Sequence, residues 1–454
     1  METQGSPESP TLGCVLTSLS RALDLGEGVP AGHAFRTARI AHRLAAELGL
    51  SEGERWSLYW AALLKDGGGS ASAAPIAEAF RCDDVASKGA IKFVDWSQAS
   101  HTTRFAVTQM GPQRTWLARL RYFAGMTVSP RRVLEEAIRV RSARGAGIVR
   151  TLGLGEDVAR AILSLDEHWD GQGGPEGLSE RAIPVLARVL CLSQTLEVFT
   201  TAEGGHVGYD VVQERAGRWF DPDMVRAALA FETDTAFWRD HARHAQGEPV
   251  ELETPPLAES HESGAIDRLC EAFAGIVDAK SSFTGEHSAR VARYAGAIAA
   301  YFELSEVQCG RLRRAALLHD LGNLAVPNTV LDKAGGLTPE EFQIVKAHAR
   351  RSYEILHGIE GFARVAEIAA AHHERLDGRG YWRGLDADQL DLEMRILAVA
   401  EQFDALSAQR PYRAALPLDE VLRLLKREAD VGIDADCVEA VHAIFGNRRQ
   451  ALAA

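Results

Sequence analysis

The chain contains itself twice, and this duplication limits its fold more than any single motif does. Residues 33–66 read HAFRTARIAHRLAAELGLSEGERWSLYWAALLKD, and residues 287–320 read HSARVARYAGAIAAYFELSEVQCGRLRRAALLHD. The two align without a gap and agree at close to half of their positions. His33 matches His287, Arg36 matches Arg290 and Asp66 matches Asp320, but Lys65 stands where the second copy has His319. A second block repeats Asp170-Gly171-Gln172-Gly173 as Asp377-Gly378-Arg379-Gly380. Arg188-Val189-Leu190 and Arg395-Ile396-Leu397 then follow at equal distance. Self-similarity at a fixed offset marks a repeated structural unit, so the sequence reads as one domain in tandem.

The unit is helical. Val291, Ala295, Ile298 and Phe302 recur at helical spacing, as do Leu312 and Ala316. Ile396, Val399, Phe403 and Leu406 form one stripe of a segment whose other side carries Leu397, Ala400, Glu401 and Asp404. A helix apolar on both sides belongs inside a bundle, and carboxylates carried inward need partners. Thr338 followed by Pro339-Glu340-Glu341 reads as a capped helix start. Strand signals are sparse. The expectation is an all-α protein of two duplicated bundles: a disordered start over 1–10, a first copy over 11–245, a linker over 246–263 and a second copy over 264–454. The Pro-containing acidic stretch at the join supports the linker.

Bulk properties remove several classes. With 46% hydrophobic and 25% charged residues the chain is an ordinary globular one. Its net charge of −13 and lack of a basic stripe argue against long nucleic acid. No run of 18 or more apolar residues occurs, and METQGSPESP lacks the parts of a signal peptide. A cytoplasmic protein with no membrane partner is expected. The six cysteines form no CxxC pair and are read as reduced thiols.

The copies differ in a directed way. The second carries His287, the doublet His319–Asp320, His348, the pair His372–His373 and Glu401. In the first, Lys65 replaces His319, Arg141 replaces His348, Leu165 and Asp166 replace His372 and His373, and Gln194 replaces Glu401. A lysine repels a cation or must deprotonate, so the first copy is read as metal-free. It is also 47 residues longer between Asp66 and Asp170 than the second is between Asp320 and Asp377.

Imidazoles and carboxylates are ligands for borderline metals such as Zn, Mn or Fe. Ligand counting divides the set: His287, His319 and Glu401 for one ion; His348, His372 and His373 for another; Asp320 bridging. Two ions some ~3.5–4 Å apart would trap a bridging hydroxide and lower its pKa from about 15.7 towards about 7. At ~1.4 kcal/mol per unit, the nucleophile becomes about 12 kcal/mol easier to form at neutral pH. Phosphodiester hydrolysis needs that nucleophile and a neutralised phosphoryl oxygen, with His319 and Asp320 at its centre. Arg410 and Arg413 would clamp a phosphate, or else cap a helix in solvent. Tyr381 would stack on a base, or else plug its loop. Asp404 would orient a ligand histidine or an arginine, or else form a plain salt bridge, and Asp377 is a second candidate for orienting. His357, His261 and the histidines near 241–244 read as solvated.

Residues 283–415 resemble the HD-GYP domain, a branch of the HD phosphohydrolases. The likeness rests on Gly285-Glu286-His287-Ser288, His319-Asp320-Leu321-Gly322, Leu331-Asp332-Lys333, Leu337-Thr338 and His348. It continues through His372-His373-Glu374-Arg375, Asp377 to Tyr381, Ala400-Glu401, Phe403-Asp404-Ala405 and Arg410-Pro411-Tyr412-Arg413. The first half resembles the same domain in degenerate form. The resemblance implies a helical domain that hydrolyses cyclic di-GMP to pGpG or GMP. It implies two divalent ions, commonly iron or manganese, with zinc, nickel or magnesium as alternatives. The implied ligands are His287, His319, Asp320, His348, His372, His373 and Glu401, with Arg410 and Arg413 meeting substrate phosphate. Asn323 stands where the family has a phosphate-contacting lysine, Trp382 replaces the proline of Gly-Tyr-Pro, and Glu401 replaces an aspartate. Phe283 occupies the place of a third-metal glutamate, so two ions are expected. The alternatives are a nucleotide-binding scaffold without turnover and an HD phosphohydrolase acting on another phosphate ester. The first copy is expected to serve regulation or homodimer formation.

Overall fold

The computed structural model describes residues 10–109, 115, 117, 130–246, 255, 263–281, 285–409 and 414–446. Among them the protein is all-α, with three isolated β-bridges and no strand. It divides into two compact units, one of residues 20–260 with 327–329, the other of residues 1–19, 261–326 and 330–454.

The helices that position the sites are α1 (Leu12–Gly26), α2 (His33–Glu47), α3 (Glu52–Leu64), α4 (Pro130–Leu152), α5 (Glu156–Leu163) and α6 (Val185–Glu203). Their repeats are α7 (Ser263–Asp278), α8 (His287–Tyr301), α9 (Glu306–Leu318), α10 (Pro339–His357), α11 (Ala363–Ala370) and α12 (Leu392–Ser407). In one unit α2 packs on α3 and α6, and α5 packs on α3, α4 and α6. In the other, α8 packs on α9 and α12, and α11 packs on α9, α10 and α12. The topology is the same.

Local chemistry explains the shared start points. Ser51 and Glu54 form a capping box on α3, and Ser305 and Gln308 form the same box on α9. Thr338 and Glu341 cap α10, with Pro339 in its first turn. Beyond the capped starts, burial of apolar faces holds the bundles together: Leu312, Ala315, Ala316 and Leu318 of α9 and Ile396, Leu397, Val399 and Ala400 of α12 are all buried. Among the described residues one helix, Val185–Glu203, is long and apolar enough to cross a membrane, and 67% of its apolar window is buried within the fold.

One close approach in each copy sets the geometry of the site. A Cβ on Gly322 would lie 2.1 Å from the His348 carbonyl oxygen, and one on Gly68 would lie 1.9 Å from that of Arg141. Glycine lets the turn after α9 press directly on α10, and the turn after α3 press on α4. The doublet His319–Asp320 is thereby carried up to His348.

Candidate metal centre and active site

His319 is the last αR residue of α9 and Asp320 opens a 3₁₀ turn over Leu321–Ala325. The helix therefore ends where its two polar residues turn towards the interior of the bundle. His287 arrives on the first turn of α8, His348 from the middle of α10, His372 and His373 just past α11, and Glu401 from α12.

These side chains converge on Asp320. Its Oδ2 lies 3.6 Å from His287 Nε2 and 3.5 Å from His319 Nε2. Its Oδ1 lies 3.3 Å from His348 Nε2 and 3.9 Å from His372 Nε2. Glu401 Oε2 is 3.1 Å from His287 Nε2 and 3.5 Å from His319 Nε2. Within 4.8 Å limits three donor groups form: His348, His372 and His373; His287, His319 and Glu401; and His319, Asp320 and His372. The first two are the groups that ligand counting separates, and the third crosses between them. One Asp320 oxygen faces each side, as a bridging carboxylate requires.

The imidazoles are aimed from behind. Nδ1 of His319 donates to the Ala316 carbonyl at 2.8 Å, that of His348 to the Val345 carbonyl at 2.6 Å, and that of His372 to the Ala369 carbonyl at 2.5 Å. Each bond spans three residues and leaves the Nε2 lone pair facing the cluster. His287 Nδ1 instead bonds Asp404 Oδ2 at 2.7 Å, while Arg290 Nε donates to Asp404 Oδ1 at 2.6 Å. His319 Nε2 is fully buried and makes no hydrogen bond. A buried acceptor without a donor is costly, and a cation at this point would satisfy it. The donor set fits a divalent transition-metal centre whose ligand histidines are fixed through their other ring nitrogen.

The electrostatics divide the five imidazoles: burial opposes the charge on His319, but Asp320 and Glu401 outweigh it and raise its pKa. Burial lowers the pKa of His348 and of His372, and burial with His348 nearby lowers that of His373 to about 3. These three are held neutral, the form that binds metal. His287 goes the other way: burial opposes its charge, but Glu401, Asp404 and Asp320 outweigh it and hold its pKa well above the ordinary value. Burial likewise opposes the charge on Glu401, yet His287 and His319 keep its carboxyl ionised. Carboxylates that stay ionised and stabilise a proton on His287 in this way offer strong attraction to a cation.

Beside the cluster lies a cleft of about 330 Å³ lined by Asp320, Asn323, His348, His373, Tyr381 and Glu401. Lys280 and Lys333 also line it, so it retains ammonium groups although Asn323 carries none. Tyr381 packs against His373 at a tilt of 33°, with ring centroids 4.7 Å apart. Arg410, Arg413 and Phe283 lie outside the described residues, as does His261.

Two expectations are corrected. Asp377 is exposed and pairs with Arg375 at 3.0 Å while capping its own loop through Arg379 N; it reaches no ligand histidine. His241 is buried, 2% exposed, against Trp238, because the helix after residue 234 carries it inward. His357 is exposed and packs on Tyr353.

Comparison with known proteins gives the family. A family model described as the HD domain matches residues 113–224 and 271–437. The chain belongs to the HD-domain family. A 3'3'-cGAMP-specific phosphodiesterase 3 of Vibrio cholerae is 38% identical over 430 residues, covering 94% of this chain and 93% of that one. The crystal structure of a cyclic GMP-AMP-specific phosphodiesterase of V. cholerae superposes with a TM-score of 0.62 at 34% identity, covering 96% and 98% of the two chains. The cyclic di-GMP phosphodiesterase response regulator RpfG of Xanthomonas campestris is 39% identical over 185 residues, covering 40% of this chain and 48% of that protein.

Within this HD-domain protein, three residues have supporting roles that the sequence alone does not assign, although the duplication pairs each with an equivalent in the first copy. Arg290 has its equivalent in Arg36, which bonds Glu197 as Arg290 bonds Asp404. Asp278 receives the backbone N–H of Ser288, as Asp24 receives that of Ala34, fixing the start of α8 and of α2. Buried Glu374 accepts from Arg383 N and Leu385 N, as Glu167 accepts from Glu176 N and Leu178 N. That carboxylate shapes the loop bearing Tyr381.

Proposed function

We propose that this chain is a metal-dependent phosphodiesterase that opens a guanine-containing cyclic dinucleotide, with 3'3'-cGAMP the favoured substrate. The observation that carries the reading is the convergence of four imidazoles on the two oxygens of Asp320, with His373 and Glu401 completing the two donor groups. His287, His319, Asp320, His348, His372, His373 and Glu401 would hold two divalent ions, iron or manganese by the family resemblance. When bound, such ions supply Lewis acidity at a phosphoryl oxygen and bring the pKa of water towards about 7. The chain's own part is orientation. Backbone carbonyls and Asp404 fix the ring nitrogens, Asp320 stands between the two donor groups, and Tyr381 and Asn323 border the space for substrate.

The preference for 3'3'-cGAMP over cyclic di-GMP rests on the relative aligned across nearly the whole chain, which carries that specificity in its name. Cyclic di-GMP is the second reading, supported by relatives of that activity at 39% and 40% identity that align with 40% and 35% of this chain. The test incubates iron- or manganese-loaded full-length protein with each cyclic dinucleotide and resolves products by chromatography. The expected result is a linear dinucleotide or mononucleotides, formed faster from 3'3'-cGAMP and blocked by chelator. Stoichiometric metal with both substrates intact would favour a binding module instead.

A further inference from the structure

A second cleft, of about 400 Å³, adjoins the first and shares His373, Tyr381, Glu401 and Ala405 with it. Its wall is unlike the metal cluster. Phe342, on the first turn of α10, is 42% exposed at the rim. Its ring meets that of Tyr381 edge to face, with centroids 6.2 Å apart. Lys346, one helical turn on, holds Nζ 4.7 Å from the Phe342 centroid and 5.2 Å from that of Tyr381. A flexible lysine is thus anchored over two aromatic faces by cation–π attraction. Beyond Tyr381 the wall reaches His373, whose ring lies 4.7 Å from that of Tyr381 at a tilt of 33°, so a base held against these rings lies next to the donor cluster.

An aromatic surface beside an anchored donor, in a cleft that meets the reacting centre, has the chemistry of a nucleobase subsite. Stacking accepts any base; the donor does not. An ammonium has three N–H donors and no acceptor. Guanine offers N7 and O6, both acceptors, on one edge, whereas adenine offers N7 and the N6 donor group there. We infer that Phe342, Tyr381 and Lys346 form the subsite for one purine of the substrate, and that Lys346 selects guanine over adenine in it. The inference rests on the phosphodiesterase reading and deepens it. One guanine is enough to fill the subsite, so 3'3'-cGAMP and cyclic di-GMP both qualify and cyclic di-AMP does not.

The experiment compares metal-loaded full-length wild type with Lys346→Met, Lys346→Arg and Phe342→Ala, measuring kcat and KM on 3'3'-cGAMP, cyclic di-GMP and cyclic di-AMP. Lys346→Met is expected to lower kcat/KM for the two guanine substrates by about 5- to 100-fold, chiefly through KM, and to change cyclic di-AMP by less than about 3-fold. Lys346→Arg keeps the donors and should keep the preference, and Phe342→Ala should raise KM for all three alike. Equal losses on all three substrates in Lys346→Met would overturn the inference. Equilibrium binding of GMP and AMP reads the same subsite without turnover. Tighter GMP binding that Lys346→Met abolishes, in a protein that opens no cyclic dinucleotide, upholds the subsite and rejects the phosphodiesterase reading. Equal GMP and AMP binding by wild type rejects the subsite.

Discussion

Asp320 and Asp66 occupy the same place in two copies of one bundle, and their surroundings could hardly differ more. Asp320 faces Nε2 atoms of His287, His319, His348 and His372. Asp66 faces Lys65, in a direct ion pair, and Lys92 at 3.2 Å. Burial opposes the Asp66 charge, but Lys65, Lys92, His33 and Arg141 hold its pKa well below the ordinary value. Where the second copy has His348 and His373, the first has the Arg141–Asp166 ion pair, and buried Leu165 fills the place of His372. Lys92 comes from the extra residues of the first copy. The bundle therefore keeps this carboxylate in both copies and surrounds it in two ways: with lysine and arginine cations in one, with imidazoles in the other. The supporting frame is unchanged, since Glu197 holds His33 and Arg36 just as Asp404 holds His287 and Arg290.

This contrast can be broken by substitution. The largest effect is expected from Asp320→Ala, which should reduce cyclic dinucleotide turnover on the order of 10⁴-fold, whereas Asp66→Ala should leave the chemistry of the second copy in place; comparable losses in both would erase the distinction. Glu197→Ala comes next. It leaves Arg36 and His33 buried without their carboxylate and should cost about 3–5 kcal/mol of the first unit's stability by denaturant unfolding. The same pair predicts acid sensitivity. Burial opposes the Glu197 charge, but His33 and Arg36 depress its pKa below the unfolded value of about 4.3. Its stabilisation is full above that pH and fades as pH falls towards the folded value. A first unit whose unfolding midpoint stayed level from pH 5 to pH 2 would contradict this.

Asp404→Ala tests the equivalent frame in the second copy. The account expects metal affinity to fall about 10- to 100-fold, read by competition with a chelator, with the helical circular dichroism retained. Asp377→Ala should do least. Its pair with Arg375 is exposed and screened by solvent, so little change in stability and turnover close to wild type are expected. A large loss of metal would restore Asp377 to the orienting role that the structure denies it.

Much of this was legible in the residues. The all-α duplication follows from two gapless blocks, and the donor set follows from ligand chemistry. The asymmetry of the copies was visible in Lys65, Arg141, Leu165 and Gln194. Asp377 misled because its side chain closes its own turn, a local bond that outweighs any reach towards the cluster. Glu374, three residues before it, does the shaping through backbone N–H groups of residues far along the loop, and no spacing rule announces that. Lys92 could not be placed because the added stretch has no counterpart from which to take a register. His241 looked solvated beside a polar join, yet the aromatic face of Trp238 draws it inside.

The most direct test is the metal content of purified, reconstituted chain, measured by elemental analysis on wild type, Asp320→Ala and Asp66→Ala. The account predicts that tightly bound transition metal survives in Asp66→Ala and drops sharply in Asp320→Ala. Metal that persists in Asp320→Ala, or that is lost from Asp66→Ala while the second unit stays folded, would contradict it.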